Sequence, residues 1–344
     1  MTSVSGDNRA LAGRLIEALP EPSLIVTGGA VLASNAAARA VLGERIDGAD
    51  VRLAIRHPAA LERLLGDGPI AADEVQLVGV GGPERRWMMA VAPLGDGWRL
   101  VRLTDRSEAY AAEQMRVDFV ANASHELRTP LATLVGYAET LRDQADALDA
   151  PTRERFTAIV HDEARRMQRL VEDLISLSRI EGEKFSPATD AVDVARLFEE
   201  ARRGCVNSAA ERGCTVEIHA APDLPPVAGD RAQLLQLYDN LVGNALRYGR
   251  PGGTVRLEAA LDGPMVRTRV ADEGEGIAKE HIPRLTERFY RVDTSRSRAQ
   301  GGTGLGLSIV KHIVERHRGR LLIDSEPGKG TLVTVTLPAL PPPS

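Results

Sequence analysis

From Thr104 to about Glu181 apolar residues recur three and four positions apart, with one interruption. Val120, Ala123, Leu127, Leu131, Leu134, Ala138 and Leu141 form one stripe at the spacing of an amphipathic helix. Asp149-Ala150-Pro151-Thr152 breaks the run after Leu148, and Pro151 suits the first turn of a new helix. That second helix runs to about Glu181 and carries Met167, Leu170, Leu174 and Leu177, with Val171, Ile175 and Ile180 offset. Two long amphipathic helices joined by a short turn predict an antiparallel hairpin. A lone hairpin cannot cover both stripes, so the pattern predicts a second copy and a dimeric four-helix bundle.

Before Thr104 the pattern shortens. Residues 1–9 read as a disordered N-terminus. Leu24-Ile-Val-Thr-Gly-Gly-Ala-Val-Leu-Ala predicts two strands around Gly28-Gly29. Ser34 or Asn35 is placed to cap an Ala-rich helix ending at Gly43. Apolar runs from Arg86 and from Trp98 flank Gly95-Asp96-Gly97 and read as a hairpin. A linker at 184–191 follows the helical region. Beyond it lie a helix at 192–211, a strand around Cys214-Thr-Val-Glu-Ile and a helix from Asp230. Strands at 254–260 and 266–271, helices near 279–287 and 305–317, and strands near 320–325 and 331–337 complete the alternation. The order predicts a multidomain α+β chain whose last domain, 192–338, is an α/β sandwich with helices against one sheet. A Pro-rich tail, 339–344, ends it.

Composition sharpens this picture in a few places. The 344 residues allow two or three domains. Aromatics make up only 3%, so the cores must come from Leu, Val, Ile and Ala. A net charge of −5 argues against direct nucleic-acid binding. Two cysteines, Cys205 and Cys214, are too few for a disulfide framework or a zinc site and fit a reducing compartment. No apolar run approaches the ~18 residues of a membrane span. The polar start, Met1-Thr-Ser-Val-Ser-Gly-Asp, is not a signal peptide. The expectation is a soluble cytoplasmic protein with no transmembrane segment, reaching the inner face of a membrane only through partners.

Chemistry first shows at Phe119-Val-Ala-Asn-Ala-Ser-His-Glu-Leu-Arg-Thr-Pro-Leu131. His125 lies two residues from both Ala123 and Leu127, so it points away from the apolar stripe, beside Glu126. Pro130 follows inside the helical run, where it costs about 3 kcal/mol. A zinc-peptidase motif fails here because position 129 is Thr rather than His.

Four motifs in the last domain each fit part of an ATP site. Asn240 and Asn244 share a helix face, and amide oxygens suit Mg²⁺. In Ala271-Asp272-Glu-Gly274-Glu-Gly276-Ile277 a carboxylate at a strand end can accept from an exocyclic amine, while the glycines let backbone approach a flat ring. Glu287-Arg288-Phe289-Tyr290-Arg291 supplies cations for phosphate. Gly301-Gly302-Thr303-Gly304-Leu305-Gly306-Leu307 precedes a helix, where free N–H groups face phosphate. It is neither a Walker A motif nor a dinucleotide fingerprint.

Ser124-His125-Glu126-Leu127-Arg128-Thr129-Pro130 resembles the phosphoacceptor box of bacterial two-component sensor histidine kinases. The four motifs resemble that family's nucleotide boxes, within the wider Hsp90, gyrase and MutL ATPase type. The resemblance implies a homodimer that binds ATP and Mg²⁺, phosphorylates His125, and passes the phosphoryl group to an aspartate of a cognate response regulator. It implies catalytic roles for Glu126 and Thr129, the latter in a reverse phosphatase reaction, and Pro130 as a hinge. It places ATP among Asn240, Asn244, Arg247, Tyr248, Asp272, Gly274, Gly276, Ile277, Arg291, Gly302, Thr303, Gly304, Leu305 and Gly306. Asn244 would be the Mg²⁺ ligand, and 292–301 a mobile flap. Residues 10–104 resemble a PAS sensor or relay domain, and 105–183 the dimerisation and phosphotransfer domain. Pro283-Arg-Leu-Thr-Glu-Arg-Phe-Tyr-Arg-Val-Asp and His312-Ile-Val-Glu-Arg-His-Arg-Gly319 are similar to the phosphate-regulon sensor kinases, which points to phosphate-responsive signalling. The rivals are a mechanical ATPase of the Hsp90 or MutL kind, which gives His125-Glu126 no role, and a non-catalytic scaffold, which gives the nucleotide motifs none.

Overall fold

Strands with residues alternating between two faces need cover on both, and the first part of the chain supplies it from two sides. The computed structural model describes residues 4–66, 74–144, 147–182, 190–293 and 302–340. Residues Met1–Val120 and Ala121–Ser344 form two units, taken in turn.

The first unit runs α1 (Val4–Glu17), β1 (Ser23–Thr27), β2 (Ala30–Ser34), α2 (Ala36–Leu42), α3 (Val51–Ala54), α4 (Pro58–Leu65), β3 (Val75–Val78), β4 (Arg86–Gly95) and β5 (Trp98–Asp105). The strands make one antiparallel sheet in the order β2-β1-β5-β4-β3. Leu24 and Val26 of β1 enter a core with Ala38, Val51, Ile55, Ala60, Leu77, Met89 and Leu103. Ile25, between them, faces the other way and packs with Ala12 and Ile16 of α1. Helix α1 therefore begins within the stretch expected to be disordered. Its stability comes from burial against the sheet, which local composition does not reveal.

Of the two candidate caps, Asn35 takes the role. Its Oδ1 accepts from Ala38 N at 2.8 Å and from Ser23 N at 2.9 Å. Its Nδ2 donates to the carbonyls of Leu19 and Glu21 at 2.9 and 2.8 Å. One carboxamide thus joins the α1–β1 connection, β1 and α2. At the far end, Ser107 Oγ accepts from Arg86 N at 2.9 Å, and Arg86 lies 5.2 Å from the Tyr110 ring. The next helix thereby starts tied to β4.

That helix, α5 (Ser107–Asp143), continues from the first unit into the second and stays helical through Pro130. It ends before Leu148, and α6 (Ala150–Gly182) returns. Tyr137 and Phe156 meet edge-on across the pair at 4.9 Å. Leu170, Leu177 and Ile180 of α6 are buried within one chain, whereas Leu131, Val135, Val171 and Ile175 are exposed.

The rest comprises β6 (Asp190–Val192), α7 (Val194–Gly204), α8 (Val206–Glu211), β7 (Thr215–Ala220), β8 (Val227–Gly229), α9 (Arg231–Tyr248), β9 (Thr254–Asp262), β10 (Met265–Ala271), α10 (Gly306–Arg316), β11 (Arg320–Glu326) and β12 (Gly330–Pro338). A sheet in the order β11-β12-β10-β9-β7 is antiparallel except for the parallel β7–β9 pair. Helices α7, α9 and α10 pack together, and α10 also packs on α6. Buried Tyr238 and Phe198 meet edge-on at 4.9 Å. The Tyr238 hydroxyl donates to Thr268 Oγ1 at 3.2 Å.

The expected helix at 192–211 is two helices, and near 279–287 only a 3₁₀ turn, Ile282–Arg284, forms around Pro283. The end of the expected linker pairs with β8 as β6. Most of that linker, the tail from 341 and most of the expected flap (294–301) lie outside the described residues. Among the described residues no helix is long and apolar enough to cross a membrane.

Asn35→Ala strands two buried amides and two carbonyls, and should lower the first unit's stability by about 2–4 kcal/mol. Both tryptophans, Trp87 and Trp98, lie in this unit, so their fluorescence during denaturant unfolding of the full chain isolates its transition. Asn35→Asp should do no better, because its second oxygen would face carbonyls.

Candidate active site

Helix α9 buries one face, Leu234, Leu237, Tyr238, Leu241, Val242, Ala245 and Leu246, against the sheet. The adjoining face carries Asn240, Asn244, Arg247 and Tyr248 at positions i, i+4, i+7 and i+8, and all four line one cleft. The cleft measures about 850 Å³. Its apolar wall is Leu241, Ala245, Val270, Leu285, Ile323 and Val333, a surface that suits a flat ring. Asp272, Gly274, Gly276, Ile277, Tyr290, Arg291, Gly302, Thr303, Gly304 and Gly306 line it too. Of the residues expected around ATP, Leu305 is the one that does not line the cleft. Its side chain is fully buried, because it opens α10 on the apolar side, and only its amide reaches toward the loop, donating to Thr303 Oγ1 at 3.3 Å.

Asp272 follows the end of β10. Its Oδ1 accepts from Gly274 N at 2.8 Å and Thr331 N at 3.3 Å, which leaves Oδ2 for a ligand amine. Burial raises its pKa, and the two backbone N–H bonds pull it partly back. The glycines answer to the protein's own backbone as much as to a ligand. Gly276 has φ +70°, and a Cβ there would lie 1.9 Å from the Glu326 carbonyl oxygen. Gly304, at φ +75°, would put a Cβ 2.9 Å from Phe289 Cα and 3.2 Å from Arg291 Nε. Phe289 itself has φ +63°, and its N–H donates to the Gly304 carbonyl at 2.8 Å. Arg291 is thus set by a tight backbone crossing.

His125 is exposed on α5. Glu126 is not turned to solvent with it. Its Oε2 accepts from Arg291 Nη2 at 2.9 Å and lies 3.6 Å from Arg166 Nη2 of α6. The Arg291 side chain is 5% exposed and that of Glu126 17%. Thr129 Oγ1 donates back to the His125 carbonyl at 3.4 Å, a long bond. Pro130 has no N–H for the carbonyl one turn back, that of Glu126. Helix α6 also contributes Arg169, Glu172 and Asp173 to the cleft. Thr303 Oγ1 donates to Asp173 Oδ2 at 2.7 Å, Ser176 Oγ donates to Gln236 Oε1 at 2.7 Å, and Arg288 pairs with Glu181. Sequence reasoning missed Arg166 and Asp173, whose helical neighbours give no motif. Thr331 carried a signal, as the residue closing Gly328-Lys-Gly-Thr331.

The residues present fit ATP and Mg²⁺. Among the described residues Asn240 Nδ2 is buried with no hydrogen-bond partner, beside the Gly-rich loop. Asn244 Oδ1 has a 3.5 Å contact from Arg247 Nη1. An orphaned amide and a weakly engaged hard oxygen suit phosphate and Mg²⁺. Among the described residues no cluster of His, Cys, Asp and Glu could hold a metal instead.

Comparison with known proteins accounts for both halves. The model of the histidine kinase-, DNA gyrase B-, and HSP90-like ATPase matches residues 229–341, and that of the His Kinase A (phospho-acceptor) domain matches residues 115–183. The phosphate regulon sensor protein PhoR of Pseudomonas aeruginosa is 37% identical over 303 residues, covering 87% of this chain and 68% of PhoR. The chain belongs to the sensor histidine kinase family. It is a protein-histidine kinase with a helical hairpin, which begins in the first unit, and an α/β ATPase domain in the second. SenX3 of Mycolicibacterium smegmatis, a sensor-like histidine kinase, is 40% identical over 247 residues, 71% of this kinase and 63% of SenX3. The kinase thus spans roughly two thirds of the length of these relatives. Histidine kinase ThkA, solved in complex with response regulator protein TrrA, shares the fold. It has a TM-score of 0.51 at 18% identity and covers 95% of this chain and 98% of that one.

A raised Asp272 pKa makes nucleotide binding sensitive to mild acid. The ionised carboxylate is the stronger acceptor for an amine, so ATP affinity should fall on acidification with a midpoint above the ordinary aspartate value. Asp272→Asn should weaken ATP binding about 10-fold or more at neutral pH and flatten that pH dependence, measured by calorimetric titration.

Proposed function

We propose that His125 accepts the γ-phosphoryl group of ATP and passes it to an aspartate of a response regulator. The observation that supports this most is Glu126. The residue beside an exposed histidine is held by Arg291, which belongs to the nucleotide cleft. A mechanical ATPase or a scaffold has no need of that link.

A neutral imidazole nitrogen of His125 attacks the γ-phosphorus, and the bond to the bridging oxygen breaks to release ADP. The ring's other nitrogen then gives up its proton, for which Glu126 is the neighbouring base. To serve, Glu126 must exchange Arg291 for the imidazole, and Arg291 becomes available to phosphate charge. Asp272 orients the adenine amine, and the backbone of 302–306 together with Thr303 receives phosphate oxygens. Asn244, with Asn240 beside it, would hold Mg²⁺, which when bound neutralises phosphate charge. In the proposed sequence of steps the nucleotide domain leaves the docked position before in-line attack on His125.

The exposed Leu131, Val135, Val171 and Ile175 support a homodimer, because a second hairpin would cover them. The likeness to the ThkA–TrrA complex and the kinship with PhoR support a response-regulator partner and a phosphate-responsive role. The sheet order β2-β1-β5-β4-β3, with helices between β2 and β3, supports reading the first unit as a PAS-like relay. Thr129, one turn beyond His125, would serve the reverse dephosphorylation.

Incubation with γ-labelled ATP and Mg²⁺ should give label that is lost in acid and stable in base. His125→Gln should abolish it, and label persisting in that variant would sink the assignment.

A further inference from the structure

Side-chain contacts join α6 to the nucleotide domain at several points, and one of them reaches into the cleft itself. Ser176–Gln236, Arg288–Glu181 and His312–Glu181 lie outside it. Asp173 Oδ2 with Thr303 Oγ1, at 2.7 Å, joins two residues that both line it.

A hydroxyl has one proton to donate. Thr303 gives it to Asp173, while its oxygen already takes the Leu305 amide at 3.3 Å. Thr303 also belongs to the loop that meets phosphate in the proposed ATP pose. It can donate to Asp173 or to a phosphate oxygen, and not to both. The carboxylate adds charge to this exclusion. Asp173 and its neighbour Glu172 present two acidic groups to a cleft for a polyanion, with Arg169 and Arg247 as the nearer cations. In the proposed pose the adenine meets Asp272 and the outermost phosphate meets the loop that carries Thr303. Burial raises the Asp173 pKa, so the carboxylate is already poorly solvated where it stands.

We infer that Asp173 is a specificity-determining residue of the kinase. It competes with the terminal phosphate of ATP for the Thr303 hydroxyl, so that the docked hairpin admits nucleotides with fewer phosphates and opposes the triphosphate. The inference rests on the proposed ATP pose. Its consequence is that ATP, rather than nucleotide in general, frees the domain from α6 and lets it reach His125.

The test is calorimetric titration of the full chain in Mg²⁺ with ATP, ADP and AMP, in a His125→Gln background that blocks turnover. Asp173→Ala should tighten ATP about three- to tenfold, ADP less, and AMP not at all. Asp173→Asn keeps an acceptor for Thr303 and loses the charge, and should fall between wild type and Asp173→Ala. Thr303→Ser keeps the hydroxyl and should preserve the wild-type order, whereas in a Thr303→Val background Asp173→Ala should no longer tighten ATP selectively. Equal tightening of all three nucleotides would mean simple loosening of the dock and overturns the inference, as would unchanged or weaker ATP binding in both Asp173 variants. If wild type binds no ATP, or binds it equally well after Asp272→Asn, the nucleotide pose itself fails, which is a different result.

Discussion

A guanidinium at 5% exposure cannot be left without an anion, and this condition ties the two halves of the kinase together. Arg291 meets it with Glu126 in the docked arrangement. Removing one partner of such a pair typically costs about 3–5 kcal/mol, because the other stays buried and charged. Undocking returns both groups to water, and in the proposed ATP pose the phosphates of the nucleotide are the anions that take the place of Glu126 at Arg291. In the proposed mechanism the same exchange would return Glu126 to its neighbour His125, so that one pairing would keep the acceptor's base and the donor's cation occupied with each other.

The apolar surface of α6 divides in a way that fits this coupling. Leu170, Leu177 and Ile180 are buried within a single chain, and α10 packs on this helix. Val171, one position from Leu170, and Ile175, two from Leu177, are exposed. The helix thus presents one face for the nucleotide domain and another for a second hairpin. Apolar burial of a few side chains, at ~1.5–3 kcal/mol each, is enough to hold a domain and small enough to reverse. The contacts around it are mostly polar and partly exposed, which adds direction more than strength.

Much of this was legible beforehand. The apolar stripe gave the hairpin, the spacing of Asn240 and Asn244 gave the cleft face of α9, and the pattern gave most strands of the two larger sheets, though not β3. What escaped depends on partners far along the chain. Helix α1 is held by Ala12 and Ile16 against Ile25 and Ala33, so nothing local marks it. Leu305 read as part of the loop because it lies between glycines, yet its side chain turns into the core. Asp173 carries no motif, since its meaning comes from Thr303, far away in sequence. Residues 279–287 read as helical from the alternation of elements, but Pro283 and the left-handed Phe289 allow only a 3₁₀ turn.

The glycines bear on how much work a nucleotide must do. Sequence alone suggests that they make room for a ring and for phosphates. In the fold, the missing Cβ positions of Gly276 and Gly304 are filled by the carbonyl of Glu326 and the backbone of Phe289. The cleft walls at these two points are therefore set by backbone crossings within the protein itself. In the proposed mechanism the ligand's interaction energy acts on the balance between docked and undocked arrangements. A ligand shifts such an equilibrium only by its differential affinity for the two states. The contacts that differ between them, at Arg291 and Thr303, are the ones a phosphate can take over.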